Sequence, residues 1–299
     1  MKQPSQWQIV IILIIGIFGV SLSAIWIRLA VDTYNSDNKV GFSLFLAASR
    51  LISAALVLLP SWNSFKPSQT NPTAICYAIA AGTCLALHFA TWITSLSYTS
   101  IAASTVLVTT NPIWVGLIGW CWYREKLSQK NILGIAIALC GGIIIAVANG
   151  NIDGNYSNPN LGNILALIGS VMSSLYIILG SQAQRQGLST GKYIAIAYST
   201  AAVCLFPLPL MYQTSYLNYP APIYLYVLLM AITSQLVGHS SINWLVRWIS
   251  PTTISLCLLF EPVVASSIGA IVFDEIPSIE LSIGGSIILL GIAIFLWKK

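Results

Sequence analysis

Glu261 is followed by Pro262 in the middle of a long apolar segment, and these two residues carry the first chemical expectation. A carboxyl about ten residues into a helix lies roughly 15 Å along its axis, too deep for easy snorkelling to the water. Proline has no N–H, so a helix running through it leaves the carbonyl of Leu258 without a partner. A carboxylate and a free carbonyl thus meet at one depth, where they can hold a proton, a cation or a polar solute. Asn111-Pro112 repeats the arrangement, with Val108 as the freed carbonyl. Arg50 lies equally deep in another apolar stretch that contains no acid. It can pair with Glu261 or with a carbonyl across a bundle, or it can draw in the carboxylate of a solute.

Two helical stripes add to this set. Cys84, His88, Trp92 and Ser95 fall along one face, and Gln235, His239 and Asn243 along another. Lipid offers such faces nothing, so they are expected to point inward. Ser23 with Trp26, and Ser173 with Tyr176, extend the same wall. The candidate solute-binding residues are Ser23, Trp26, His88, Trp92, Asn111, Tyr176, His239, Asn243 and Glu261, with Arg50 as a coupling or charge-pairing group. Pro112 and Pro262 are candidate helix breaks, and Glu261 and the two histidines are candidates for proton coupling. Blander readings stay open: the prolines only kink their helices, the histidines are satisfied structural groups, and Trp26 and Tyr176 are interfacial anchors. Arg28 and Asp32, four apart near a helix end, can pair with each other.

Such residues need a membrane around them. Hydrophobic residues make up 57% of the 299-residue chain and charged ones 7%, and the mean hydropathy is +0.82, values outside the range of soluble domains of this size. A span needs roughly 20 apolar residues, and ten stretches qualify, near 7–31, 40–60, 73–95, 100–122, 131–149, 162–182, 191–211, 222–244, 251–273 and 279–297. The first is too long for the apolar core of a secretory signal. With ten spans both termini share one side, which collects Lys2, Lys66, Arg124, Lys126, Lys130, Arg185, Lys192, Arg247, Lys298 and Lys299. The positive-inside rule makes that side cytoplasmic, in an inner or plasma-type membrane. The net charge of +5 reflects topology and calls for no nucleic acid.

Several chemistries are disfavoured. The six cysteines lie within spans with no CxxC spacing and read as small apolar residues. No metal site or cofactor is expected. Gly187-Leu188-Ser189-Thr190-Gly191 matches the pattern of a hydrolase nucleophile, but it falls in a short loop between two helices rather than between a strand and a helix. The chain has no phosphate-binding loop, so gradients or a partner must drive any pumping.

Displaced by 150 residues, the chain aligns with itself without a gap. From 109 to 145 against 259 to 295 the partners are identical ten times, among them Pro112/Pro262, Gly119/Gly269, Glu125/Glu275, Gly134/Gly284 and Gly141/Gly291. Earlier matches include Gly19/Gly169 and Ser23/Ser173, with Trp26 opposite Tyr176. The fold expected is all-α and membrane-embedded: ten transmembrane helices as two five-helix repeats, 1–150 and 151–299, around a central cavity. Because five is odd, the repeats are inverted, an arrangement characteristic of secondary transporters. The Gly- and Asn-rich run from Asn149 to Leu161 joins them.

The chain resembles the drug/metabolite transporter superfamily in its ten-helix EamA branch. The resemblance rests on the duplication and on FEPVVASSIGAIVFDEIPS at 260–278, with its weaker copy TNPIWVGLIGWCWYREKLS at 110–128 and LFLAASRLISAALVL at 44–58. It implies that helices 1, 3, 4, 6, 8 and 9 surround the cavity while 5 and 10 pack outside it. It also implies a carrier in the lipid bilayer, since members export amino acids, related metabolites or toxic compounds and a few take up solutes. The inverted repeats point to a secondary carrier working by alternating access, and the wall, with few fixed charges, to a small amphipathic or zwitterionic solute, an amino acid or an analogue, as an export substrate. Asn111 stands where a second Glu would complete the motif. A non-transporting sensor or assembly component on the same fold is the alternative, and a membrane enzyme ranks third.

Overall fold

The structure, a computed structural model, describes residues 3–34, 36–63, 70–99, 101–124, 128–150, 158–273 and 279–296. Lys2, Lys66, Lys126, Lys298 and Lys299, the Glu125/Glu275 pair and most of the 149–161 connection lie outside the described residues. Every regular element among those described is helical.

Helix starts follow local sequence. α1 (Gln6–Thr33) begins at Ser5, whose hydroxyl accepts from Gln8 N while the Gln8 side chain accepts from Ser5 N, a reciprocal cap. Asn38 caps α2 (Lys39–Val57) by accepting from Gly41 N, and the short α3 (Leu59–Trp62) follows. α4 (Pro72–Ser95) starts with proline behind the capping Asn71, where the missing N–H costs nothing. α5 (Ile101–Val108) and α6 (Asn111–Tyr123) are separated at Thr109-Thr110. α7 (Gln129–Gly150), α8 (Pro159–Arg185), α9 (Thr190–Leu205) and α10 (Pro207–Met211) come next. α11 (Ala221–Leu229) widens into a π-helical stretch, Met230–His239, before α12 (Ser240–Leu245). α13 (Pro251–Cys257) tightens into a 3-10 turn, Leu258–Phe260, before α14 (Glu261–Phe273), and α15 (Ile279–Leu296) completes the described chain.

Seven helical stretches among the described residues are long and apolar enough to cross a membrane: Gln6–Thr33, Lys39–Val57, Pro72–Ser95, Pro159–Arg185, Thr190–Met211, Ala221–Leu245 and Pro251–Phe273. The stretch expected as one span over 100–122 is divided by the break before Pro112, and neither piece alone is long enough. α7 and α15 contribute shorter apolar runs, Gln129–Ile144 and Ser282–Gly291.

Two glycine contacts set how the helices approach one another, because small residues let backbones close in where lipid supplies no hydrophobic drive. α1 crosses the π-helical stretch at Gly19 and Gly238: a Cβ on Gly19 would stand 2.8 Å from Gly238 Cα. α7 and α15 cross reciprocally: a Cβ on Gly141 would meet Gly284 O at 2.5 Å, and one on Gly291 would meet Gly134 O at 2.6 Å. The main core gathers α2, α4, α8 and α9 around Phe45, Leu46, Leu85, Phe89, Tyr193 and Tyr198.

Candidate functional site

Neither proline leaves a carbonyl bare, but the group that satisfies it differs. At the first, the chain leaves α5 and re-enters helix at Asn111. The groups around this side chain are acceptors, so its amide nitrogen faces them and donates to Val108 O at 3.0 Å and to Ser170 O at 3.1 Å. The carbonyl freed by Pro112 is thereby satisfied by the residue before the proline. At the second, the helix tightens over Leu258–Phe260 so that Glu261 N–H donates to Leu258 O, and the carbonyl expected to be free is satisfied by the backbone. Ser21 Oγ of α1 donates to Ile17 O at 2.8 Å, with Glu261 O farther off at 3.3 Å.

Between these breaks lies a cavity of about 40 Å³, room for about three waters. Its polar lining is Ser23, His88, Thr109, Asn111, Ser173, Tyr176, His239 and Glu261; Trp92 and aliphatic groups complete it. The lining comes from α1, α4, the α5–α6 break, α8, the π-helical stretch, α12 and the 3-10 turn leading into α14. His88 Nδ1 donates to Gly169 O at 2.9 Å, which fixes its tautomer and leaves Nε2 as an acceptor. Its ring is nearly parallel to that of Trp92, 7° apart at 5.8 Å. His239 stands edge-on to Phe89 and Tyr176, at 5.4 and 6.4 Å.

Seven of the nine sequence candidates line this cavity: Ser23, His88, Trp92, Asn111, Tyr176, His239 and Glu261. Trp26 does not. Its indole N–H donates to Thr233 Oγ1 at 3.0 Å and its ring stacks on Tyr226, turning it toward the neighbouring helix. Asn243 stands one layer back, with Nδ2 donating to the hydroxyls of Tyr176 at 2.5 Å and Tyr198 at 3.2 Å.

Arg50 also sits behind the wall, with no exposed surface. Its Nε donates to Gln235 Oε1 at 3.0 Å, its Nη1 donates to Ser23 Oγ at 2.7 Å, and its Cζ lies 4.2 Å from the centre of the Phe89 ring. No ion pair joins it to Glu261 among the described residues; Arg28 and Asp32 do pair, at 3.8 Å. A cation at this depth is costly unless dipoles or charges surround it, and here an amide, a hydroxyl and an aromatic face do so.

Sequence reasoning named Val108 and Leu258 for their carbonyls but did not single out Thr109 or the aliphatic wall of Val20, Ile177 and Ile242. The Asn-Pro that begins two residues later could have pointed to Thr109, whereas nothing distinguishes a cavity-facing Ile from a lipid-facing one. The π-helical stretch that presents Gln235 and His239 was likewise unexpected. The rejected hydrolase-like run is a turn: Gly187 takes φ 107° and Ser189 Oγ accepts from Lys192 N to cap α9.

Known proteins share the sequence pattern and the fold of this chain. The profile described as the EamA-like transporter family matches residues 7–147 and again 160–297. The chain is 23% identical to the uncharacterized transporter YyaM of Bacillus subtilis over 270 residues, 89% of this chain and 86% of that one. It is 20% identical to an uncharacterized transporter of Archaeoglobus fulgidus over 276 residues, 90% and 91% of the two chains. A solved crystal structure of another protein superposes with a TM-score of 0.72 over 98% of this chain and 97% of that one, at 16% identity, which extends the likeness to the fold.

Proposed function

The chain belongs to the EamA-like transporter family and is an integral membrane transporter; on that premise we propose that it is a secondary carrier that exports a small amphipathic metabolite, an α-amino acid above all, by alternating access. The observation that carries the reading is the cavity between the two helix breaks. It combines one carboxyl, Glu261, with hydroxyls, an amide, two imidazoles and an aliphatic wall. That lining suits a solute with a compact polar end and an apolar side chain, and it lacks the several cations a polyanion would need. About 40 Å³ is too little for a metabolite, so a solute enters only in a wider conformation, as rocking halves would provide.

The halves are proposed to be inverted five-helix repeats, 1–150 and 151–299, making ten spans with both termini in the cytoplasm. The reciprocal contacts at α7 and α15 support this. Gly141 faces Gly284 O and Gly291 faces Gly134 O, and the 150-residue offset exchanges one contact for the other. Glu261, aided by His88 and His239, is proposed to couple transport to protons.

The test is counterflow of a labelled amino-acid panel into liposomes containing the purified protein, with Glu261→Ala as the control. Selective exchange lost in the variant supports the reading. A folded protein that moves no member of the panel removes the amino-acid assignment.

A further inference from the structure

Behind Ser23 the wall holds more hydrogen-bond donors than acceptors. Arg50 uses Nε on Gln235 Oε1 and Nη1 on Ser23 Oγ. Among the described residues its Nη2 has no partner, and neither has Gln235 Nε2, although both side chains are fully buried. Unpaired buried donors are destabilising, and a guanidinium without a counter-ion is more so. Glu261 attracts Arg50 only at longer range.

Ser23 connects this cluster to the cavity. It lines the cavity, its oxygen accepts from Arg50 at 2.7 Å, and none of its hydrogen bonds to the described residues uses its own O–H as donor. A hydroxyl whose oxygen is engaged by a guanidinium is polarised to donate, and the cavity is where it can do so. The matching half is different. Ser173 also lines the cavity, but the residue 150 positions beyond Arg50 is Thr200, whose hydroxyl donates to Ile196 O at 2.9 Å. Of these two matched serines, only Ser23 is backed by a cation.

We propose that Ser23 and Arg50 form the anion-binding end of the cavity and take the carboxylate of a zwitterionic solute whose ammonium group faces Glu261. This rests on the carrier reading above. It adds an orientation and a charge rule: Arg50 and Glu261 cancel, and so do the two charges of the solute. A deaminated acid brings an unbalanced negative charge into the membrane interior and a decarboxylated amine an unbalanced positive one, and both are penalised there. The solute's apolar side chain is left to Val20, Ile177 and Ile242.

The experiment uses the full chain in liposomes, counterflow of labelled leucine, and competition by leucine, 3-methylbutylamine and 4-methylpentanoate. Leucine is expected to compete about tenfold better than either analogue, the discrimination that one charge-assisted hydrogen bond supplies. Ser23→Ala and Arg50→Gln are expected to slow leucine exchange about tenfold; Ser23→Ala narrows its advantage over the amine by removing the hydrogen bond, and Arg50→Gln, which leaves Glu261 to balance the amine, abolishes it. Ser23→Ala removes one oxygen and is the variant that decides if Arg50→Gln does not fold; a monodisperse, wild-type-like melt establishes that it has folded. A folded Ser23→Ala that exchanges leucine at the wild-type rate, with the wild-type preference over the amine, overturns the subsite while leaving the carrier standing. Wild-type protein that moves none of the three overturns the amino-acid reading, and the subsite with it.

Discussion

Asn243 and Tyr176 are joined by a hydrogen bond of 2.5 Å from the amide Nδ2 to the phenol oxygen, and this bond holds the back of the cavity in place. The same nitrogen donates to Tyr198 OH at 3.2 Å, while the backbone carbonyl of Asn243 accepts from Gln184 Nε2 at 2.7 Å. One amide thus satisfies two buried phenols, only one of which lines the cavity. Asn243→Leu keeps the branched four-atom outline of the side chain and removes the donors. It is expected to destabilise the protein by about 1–3 kcal/mol, read as a lower melting temperature in detergent, with Tyr198→Phe costing less because Tyr176 keeps its donor. An Asn243→Leu melting curve that overlays the wild type would show that the bond contributes nothing.

Glu261→Gln keeps the shape of the side chain and removes its ability to exchange a proton. If the carboxyl couples transport to protons, the variant keeps at most a slowed exchange, since it also loses the charge that faces the solute's ammonium group, and it loses the pH dependence of net uptake and the accumulation driven by a pH gradient. His88→Gln and His239→Gln, measured alongside, apportion any dependence that remains. Net uptake by Glu261→Gln with an unaltered pH profile would rule out the coupling role.

The crossing of α7 and α15 has no room for a methyl group. At Gly141 the obstacle is a backbone oxygen, Gly284 O, at 2.5 Å, which cannot rotate away as a side chain would. Gly141→Ala is therefore expected to cost about 1–3 kcal/mol through overpacking. At Gly191, in the first turn of α9, an added Cβ meets nothing within 4 Å among the described residues, and Ala there is expected to gain up to about 0.5 kcal/mol from helix propensity. Thermal melts of the two variants should move in opposite directions. A shift of the same sign in both would remove the steric account.

Between α10 and α11, outside the spanning helices, Tyr219 stacks on Phe45 at 4.3 Å and Tyr216 donates from its hydroxyl to Phe206 O at 2.8 Å. Burial pushes both phenols up to about 12, and for Tyr219 the phenols of Tyr34 and Tyr224 add to the effect. Folding favours the neutral phenol. The contribution is fully present below the unfolded value of about 10 and is lost as the pH rises from there toward 12. Tyr219→Phe should remove a tyrosinate absorbance step near pH 12 and flatten the loss of melting temperature above pH 10. A step removed near pH 10 would mean that the ring is solvated.

Much of the candidate site was legible because a membrane makes polar residues conspicuous. Glu261, Asn111, His88 and His239 stand out against apolar neighbours, and all four line the cavity. Proline marked both helix breaks, since the missing N–H acts locally whatever the tertiary setting. Helical spacing also put Gln235 and Asn243 on one stripe with His239, yet of these only His239 reaches the cavity. The π-helical stretch that carries Gln235 and His239 left no comparable mark, because no residue type announces the wider turn.

Trp26 and Tyr176 show where the boundary lies. They occupy matching places 150 residues apart, and sequence reasoning placed both on the wall. Tyr176 is there, held by Asn243, whereas Trp26 is drawn aside by Thr233 and Tyr226. Composition, hydropathy, proline and the internal offset determined by themselves that the chain is membrane-embedded, where its helices break and which polar groups lie deep, because each depends on short-range chemistry or on transfer out of water. Only the tertiary structure decided which of those groups share a cavity, and that Arg50 stands behind Ser23 rather than beside Glu261. Those outcomes turn on partners such as Gln235, 185 positions from Arg50, which come within reach only once the helices have packed.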